Sequence, residues 1–205
     1  VVPVNISFSR VADAQGEFAS TLAICKDITE QKRLEQELKE MSVKDSLTNL
    51  YNQRSFFERL ENEVERAKRQ KRPLSLLLFD IDKFKQYNDS RGHLEGDKVL
   101  AGAGSAVLEC TREHVDIGFR YGGDEFTVIL PEAEEQQASA IAERIRETFE
   151  RYRYDELTLS IGCVSFKEGF TVRSFIEKAD SLMYQAKRAG GNRVCKAAHK
   201  VESPK

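Results

Sequence analysis

Several residue types that often decide a protein's class are scarce in this sequence. Its 205 residues include no tryptophan, four prolines and four cysteines. No two cysteines form a C-x-x-C pair, and each lies in an apolar stretch, which indicates structural thiols in a reducing cytoplasm rather than metal ligands or disulfides. These cysteines are Cys25, Cys110, Cys163 and Cys195.

The sequence also lacks a large charge excess and a long apolar run. Its net charge is -2, which argues against nucleic-acid binding because that depends on clustered Lys and Arg. The longest apolar stretch, Leu74 to Phe79, is far shorter than the roughly 18 residues of a membrane span. We therefore expect no direct membrane contact in this chain. It shows no signal peptide, and we expect it to be cut from a longer protein whose upstream part could be membrane-attached.

What is present is a globular composition, with 40% hydrophobic and 32% charged residues, and a length that fits one domain plus a fragment. Val4–Ser9 and Phe18–Lys26 are predicted strands, separated by a turn signal at Asp13–Gly16. Two strands alone are marginally stable in water. The predicted hairpin therefore indicates the end of a larger upstream domain.

A charged helix is predicted from Thr29 to Met41, with Thr29 as its candidate cap. Leu34, Leu38 and Met41 are spaced by four and three residues, as at a and d positions. Two interpretations stay open from the spacing: a surface helix that rests on its own domain, and a parallel dimeric coiled coil that joins two domains.

Helices and strands alternate over the rest of the chain, which predicts an α/β (α+β) fold with a central mixed sheet flanked by helices. The predicted helices are Gln53–Lys71, Gly96–Thr111, Glu134–Tyr152 and Val172–Arg188. The predicted strands are Leu74–Ile81, Ile117–Tyr121, Phe126–Leu130, Leu157–Ser165 and Arg193–Lys196.

Two acidic motifs are candidates for chemistry. Asp80 and Asp82 lie at the C-terminal end of the most apolar strand and share one face of it. One of them could cap a short helix near Lys83, but two carboxylates also suit Mg²⁺. Asp124 and Glu125 follow Gly122-Gly123 in a predicted hairpin. If this hairpin pairs with the Leu74–Ile81 strand, Asp80, Asp124 and Glu125 converge, and their mutual repulsion requires cations.

A third group lies between these motifs. Asn88 and Asp97 are polar residues in a segment that we expect to be largely buried. A carboxylate accepts two parallel hydrogen bonds from the N1–H and amino group of guanine, whereas adenine has no N1–H. Both residues could instead be helix caps.

At these residues the chain resembles the GGDEF family of diguanylate cyclases, from Lys44 to about Lys196. The matching motifs are Asp45-Ser46-Leu47-Thr48-Asn49-Leu50-Tyr51-Asn52, Phe79-Asp80-Ile81-Asp82-Lys83-Phe84-Lys85, Asn88-Asp89, Gly92-His93, Gly96-Asp97, Arg120-Tyr121-Gly122-Gly123-Asp124-Glu125-Phe126 and Ala186-Lys187. The segment from Val4 to Thr29 resembles the last strands of a PAS sensor domain. We accordingly assign 1–28 to a PAS fragment, 29–43 to a linker or coiled-coil helix, 44–197 to the GGDEF domain and 198–205 to a tail.

The resemblance implies a sheet related to the palm of nucleotidyl cyclases and polymerases, and catalysis by Asp80, Asp124 and Glu125. Asp80, Asp124 and the Ile81 carbonyl would bind Mg²⁺, with Mn²⁺ as the alternative ion. Glu125 would assist at the metals or take the proton from the ribose 3′-OH. Asp82 would have a supporting structural role.

The implied substrate is GTP and the implied product is cyclic di-GMP. Gly122 and Gly123 would let GTP lie against the hairpin, and Asn88 and Asp97 would read guanine. The other implied substrate-binding residues, most of them near the triphosphate, are Lys83, Phe84, Lys85, His93 and Lys187. Because one protomer of the family holds one GTP, two must face each other, which implies a homodimer formed through the linker helix.

The chain departs from the family pattern at three sites, of which Asn49, in place of the Gly usual in the first motif, has no consequence that the sequence indicates. The family's inhibitory R-x-x-D product site keeps its Asp as Asp116, but Glu113 stands at the Arg position and Arg112 is adjacent, so we expect weak or absent feedback inhibition. Gly191 stands where many relatives have an Arg near the phosphates, which leaves Lys187 to act alone. A mixed cyclic GMP–AMP synthase and a catalytically silent nucleotide-binding module stay as alternatives, against which Asp97 and the three acids respectively argue.

Overall fold

The computed structural model describes residues 2–12, 15–34 and 43–197, and the chain divides into two compact units, Val1–Ser42 and Val43–Lys205. In the first unit, β1 (Val4–Ala12) and β2 (Phe18–Asp27) form an antiparallel hairpin. The predicted hairpin is thereby confirmed, although both strands are longer than predicted. Its turn includes residues outside the described part of the chain.

A helix begins at residue 29 and is described as far as residue 34. The Asp27 carboxylate accepts hydrogen bonds from the backbone N–H of Thr29, at 2.8 Å, and from its hydroxyl, at 2.6 Å. The side-chain acceptor at this helix start is therefore Asp27, and the prediction of Thr29 as the cap is wrong. Leu38 and Met41 lie outside the described residues, so the coiled coil stays a prediction.

The second unit contains a five-stranded sheet in the order β4-β5-β3-β6-β7. The pairs are antiparallel except β6 with β7, which is parallel, so the predicted mixed sheet is confirmed. The strands are β3 (Leu74–Asp82), β4 (Ile117–Gly122), β5 (Glu125–Pro131), β6 (Thr158–Ser165) and β7 (Arg193–Lys196). The helices are α1 (Gln53–Gln70), α2 (Phe84–Arg91), α3 (His93–Cys110), α4 (Glu135–Arg151) and α5 (Val172–Arg188).

Two hydrophobic cores cover the two faces of this sheet. The β3 side chains alternate between them, because successive residues of a strand point to opposite faces. One core joins Leu77, Phe79 and Ile81 to α3 and α4. The other joins Leu76 and Leu78 to α1 and α5. By the same alternation, the even-numbered residue Asp80 lies on the face that α5 covers.

The boundaries of two elements differ from the prediction in ways that affect the candidate site. Strand β3 continues through Asp82, so both acids belong to the strand itself. Helix α3 begins at His93 rather than Gly96, directly after Gly92, which has a φ of 85°. Among the described helices, none has the length and the apolar character of a membrane span.

A close approach between β6 and α5 fixes the height of α5 above the sheet. A Cβ atom on Gly162 would lie 2.1 Å from the Ala179 carbonyl oxygen and 2.5 Å from the Met183 nitrogen. These are backbone atoms of α5, so they cannot move aside without moving the helix. The absence of a side chain at Gly162 therefore sets the position of every α5 residue relative to the end of β3.

We predict that Gly162→Ala destabilises the domain by about 1–3 kcal/mol or more, the usual cost of overpacking a core. The matched control is Gly118→Ala, whose new methyl group would meet only the Val107 and Leu50 side chains. Urea unfolding followed by circular dichroism measures both. Equal losses of unfolding free energy in the two variants would contradict the account of β6 and α5.

Candidate active site

The register of β3 and β5 brings the three candidate acids to one end of the sheet. Asp80 is opposite Glu125 in the last registered pair of the two strands. Gly122 is opposite Glu125 across the β4–β5 hairpin, so Gly123 and Asp124 form its two-residue turn. The sequence expectation that Asp80, Asp124 and Glu125 converge is therefore confirmed by the pairing.

The glycines of this turn have different requirements. Gly123 has a φ of 24°, which disfavours other residues, and a Cβ atom there would have no neighbour within 4 Å. A Cβ atom on Gly122 would lie 3.7 Å from Glu125 Oε2. The turn is thus uncovered at Gly123, so that a ligand can approach its backbone.

Asp80 is the buried member of the group, with 11% of its side chain exposed. Its Oδ2 atom lies 2.7 Å from Lys187 Nζ, which reaches it from the last turn of α5. The Lys187 side chain is 35% exposed. The family resemblance implies that Lys187 binds the triphosphate, and in the structure its ammonium pairs with Asp80, the first candidate metal ligand.

Burial and charge repulsion shift the titration of two of these acids. Burial, together with the charges of Asp124 and Glu125, raises the pKa of Asp80 to about 6, although Lys187 counteracts the shift. The pKa of Glu125 is also raised, first by burial and then by the charge of Asp124. Both shifts show that ionised carboxylates at this place are under-neutralised, which is the condition that a bound cation relieves.

The donor set fits Mg²⁺ or Mn²⁺. Mg²⁺ binds through one or two carboxylates and completes its coordination with water and substrate phosphates. The part of the chain that the structure describes contains no group of three or more His, Cys, Asp or Glu already arranged to hold a metal. Asp80 and Asp124 supply carboxylates, and β3 continues through Ile81 past its last pair with β5. A metal held by these groups would keep its remaining coordination positions open for water and other oxygen ligands.

Asp82 has its hydrogen-bonding capacity taken up by the protein. It accepts hydrogen bonds from the hydroxyls of Thr158 and Ser160, each at 2.7 Å, and from the backbone N–H of Asn192 at 3.0 Å. A Cβ atom on Gly191, which has a φ of 73°, would lie 2.8 Å from Asp82 Oδ2. The glycine thus lets the loop after α5 close onto Asp82, and an Arg at this position would disturb that closure.

The base-reading candidates lie on α2 and α3. Asn88 Oδ1 is buried, and among the described residues it has no hydrogen-bond partner. A Cβ atom on Gly96 would lie 1.7 Å from that oxygen, so the carboxamide packs directly against the α3 backbone. Asp97 and His93 are exposed. The expectation that this segment is largely buried is wrong: from Phe84 to Asp97 only Phe84 and Gly96 are buried, and Asp97 lies on the solvent side of α3.

The candidate phosphate site is the beginning of α2. Lys83 precedes the helix with a φ of 63°, and its side chain makes no capping hydrogen bond to the helix N-terminus. Its backbone N–H groups are therefore available to an anion. Phe84 is buried, which anchors the helix, and Lys85 is exposed. The Lys83 ammonium pairs with Glu156 at 2.8 Å, so its backbone is better placed than its side chain for phosphate.

Two side chains near the site, Arg120 and Asp180, received no role in the sequence analysis. Arg120 donates to the Gly123 carbonyl, at 2.8 and 3.0 Å, and pairs with Asp45 at 3.2 Å. It thus ties the turn to the start of the domain, and its place two residues before Gly122 was the available signal. Asp180 adds negative charge near Glu125; it lies seven residues before Lys187, on the same side of α5.

The aspartate at the expected product-site position is enclosed in an internal ion pair. The Asp116 carboxylate is 0% exposed and lies 2.7 Å from an Arg112 guanidinium nitrogen. It also accepts the Arg112 backbone N–H at 2.8 Å. Glu113 is exposed. A ligand that needed Asp116 would therefore have to break its contacts with Arg112.

Comparisons with known proteins give consistent matches for most of the chain. A family model described as diguanylate cyclase, GGDEF domain, matches residues 42–193. The chain is 36% identical to the diguanylate cyclase DgcM of Escherichia coli K12, over 86% of this chain and 43% of DgcM. It is 40% identical to the diguanylate cyclase DosC of the same strain, over 73% of this chain and 34% of DosC. The chain therefore spans less than half the length of these curated relatives.

A solved structure gives the same result for the fold. The coiled coil and GGDEF domain of DgcB from Caulobacter crescentus, in complex with c-di-GMP, matches with a TM-score of 0.72 and 30% identity. The match covers 82% of this chain and 94% of that chain.

We predict that Asp80→Asn stabilises the protein at alkaline pH when divalent ions are chelated. The raised pKa of Asp80 means that the native state binds its proton more tightly than the unfolded state. Stability is therefore lost as pH rises from about 4 to about 6, by on the order of 2 kcal/mol. Chemical unfolding of both proteins at about pH 8 and about pH 4 measures the difference. If the variant has no larger free energy of unfolding than the wild type at the higher pH, this account is contradicted.

Proposed function

The chain belongs to the GGDEF family of diguanylate cyclases, and on this basis we propose that it condenses two molecules of GTP into cyclic di-GMP and two pyrophosphates. The observation that carries the proposal is the convergence of Asp80, Asp124 and Glu125 at the β4–β5 turn, with Lys187 against them. A nucleotide-binding module without activity would not require this under-neutralised cluster.

In this mechanism Asp80, Asp124 and the Ile81 carbonyl would hold Mg²⁺ or Mn²⁺, which neutralises charge on the reacting phosphates. The uncapped start of α2 and the ammonium groups of Lys85 and Lys187 bind the triphosphate. The ribose 3′-OH of one GTP attacks the α-phosphorus of the other, and pyrophosphate leaves from the GTP that is attacked.

Glu125 is the group that we assign to the proton of the attacking 3′-OH. Its raised pKa makes it a stronger base than an ordinary glutamate. It lies beside the turn, where Gly122 and Gly123 admit the substrate.

Guanine is read by Asn88 and Asp97. The unpaired Oδ1 of Asn88 supports this assignment, because a buried polar atom without a partner costs about 1–3 kcal/mol and a base edge would supply the missing hydrogen bond. Asp97, which is exposed, would be covered by the base. A mixed cyclic GMP–AMP product is the alternative for this pocket.

Two protomers must act together, since one site holds one GTP and the product contains two equivalent phosphodiester bonds. We propose a homodimer formed through the helix that begins at residue 29. The coiled coil that accompanies the GGDEF domain of DgcB supports this arrangement. The upstream hairpin would belong to a PAS sensor domain that regulates the cyclase, and its exposed Ile6 and Phe8 suit burial in a larger domain.

The proposal is tested by incubating the purified chain with GTP and Mg²⁺ and identifying the products by mass. We expect cyclic di-GMP from the wild type and none from Asp124→Ala, with GTP plus ATP run in parallel. A mixed product would replace the diguanylate assignment by the GMP–AMP alternative. If a covalently linked dimer of the chain binds GTP but makes no product, the cyclase proposal is contradicted.

We also predict weak or absent product inhibition through Asp116. The Arg112 ion pair closes the carboxylate, and Glu113 presents a negative charge where the family pattern has Arg. Initial rates at increasing cyclic di-GMP should be the same for the wild type and Asp116→Ala, corrected for any loss of folded protein. Inhibition that is present in the wild type and disappears in the variant would show the opposite.

A further inference from the structure

Lys187 makes a contact that its expected role does not explain. A residue that only binds a triphosphate would extend toward solvent, as Lys85 does. Lys187 instead points its ammonium at Asp80 Oδ2, at 2.7 Å. The contact is selective, because Arg188, the other basic residue of the last turn of α5, is exposed.

Asp80 requires a counter-ion at this place. Its carboxylate is almost fully enclosed, and Asp124 and Glu125 add negative charge around it. A buried carboxylate without a partner is strongly unfavourable. The groups that satisfy the neighbouring Asp82, namely Thr158, Ser160 and Asn192, are neutral. The ammonium of Lys187 thus supplies the positive charge at Asp80.

A metal ion and Lys187 cannot share the Oδ2 oxygen of Asp80. Mg²⁺ approaches a carboxylate oxygen to 2.0–2.1 Å, and an ammonium 2.7 Å from that oxygen would be in direct repulsive contact with the ion or its coordinated waters. Lys187 therefore has to leave Oδ2 of Asp80 when a metal binds to that oxygen.

The side chain of Lys187 can move while its backbone stays fixed. The close approach at Gly162 holds α5 against the sheet. The Lys187 side chain, by contrast, has a flexible four-carbon stem and is 35% exposed. The displaced ammonium remains within a side-chain length of the acids, where a triphosphate bound through the same metal would lie.

We propose that Lys187 is an exchangeable counter-ion: it neutralises Asp80 until a metal binds there, and it then transfers to the triphosphate of the nucleotide. This inference rests on the proposed function for the identity of the nucleotide. When the metal binds alone, the displaced Lys187 ammonium has no new anionic partner. When the metal binds with a nucleotide, the ammonium pairs with the triphosphate. The two ligands therefore bind cooperatively, and Lys187 carries part of the coupling free energy.

The test measures Mn²⁺ binding by electron paramagnetic resonance, at about pH 8 to limit proton competition at the carboxylates. It compares wild type and Lys187→Met, each without nucleotide and with a non-reactive GTP analogue. Without nucleotide we expect Lys187→Met to bind Mn²⁺ about tenfold more tightly, because a competing unit charge has been removed. The factor by which the analogue strengthens Mn²⁺ binding should fall in the variant.

Arg188→Met is the matched control, since it removes one positive charge from the same helical turn without touching Asp80. It should change Mn²⁺ affinity less than Lys187→Met, and thermal unfolding shows whether each variant is folded. Unchanged or weaker Mn²⁺ binding by folded Lys187→Met without nucleotide, or no binding by either protein, would overturn the proposal. The measurement without nucleotide uses neither GTP nor turnover. It can therefore contradict the role of Lys187 while cyclase activity is observed, and it can support that role while no activity is observed.

Discussion

The concentration of negative charge at the end of β3 is the constraint on which the rest of the site depends. One carboxylate, Asp80, is enclosed, and the strand register places Asp124 and Glu125 beside it. Such a group is stable only with a cation in reach, and Lys187 supplies one from α5. The position of α5 depends in turn on Gly162, so the packing of a glycine against a helix controls the electrostatics of the acids.

The site also keeps local arrangements that a purely structural domain would avoid. Asn88 Oδ1 is buried without a partner among the described residues, and the pKa of Asp80 is raised. Each lowers stability, and each would be relieved by a ligand: a base edge at Asn88 and a metal at Asp80. The neighbouring Asp82, by contrast, is fully engaged within the protein. Two acids of one strand thus differ: Asp82 is hydrogen-bonded within the protein, and Asp80 is the one that we propose for the metal.

Much of the fold followed from patterns in the sequence. The spacing of apolar residues predicted both ends of α5 and of β7 correctly. The Gly-Gly pair predicted the hairpin that brings the acids together. What the sequence did not predict depends on contacts distant in the chain. Lys187 meets Asp80 across more than a hundred residues, and the exposure of Asp97 depends on which side of α3 faces the core. Local periodicity contains neither kind of information.

The most direct test of this account is a crystal structure with Mn²⁺ and a non-reactive GTP analogue, with the metal located by its anomalous scattering. We predict a Mn²⁺ peak bound by Asp80 and Asp124, and Lys187 Nζ moved from Asp80 to the triphosphate. A metal bound elsewhere, or a Lys187 that remains on Asp80 beneath a bound nucleotide, would contradict the central role given to this carboxylate.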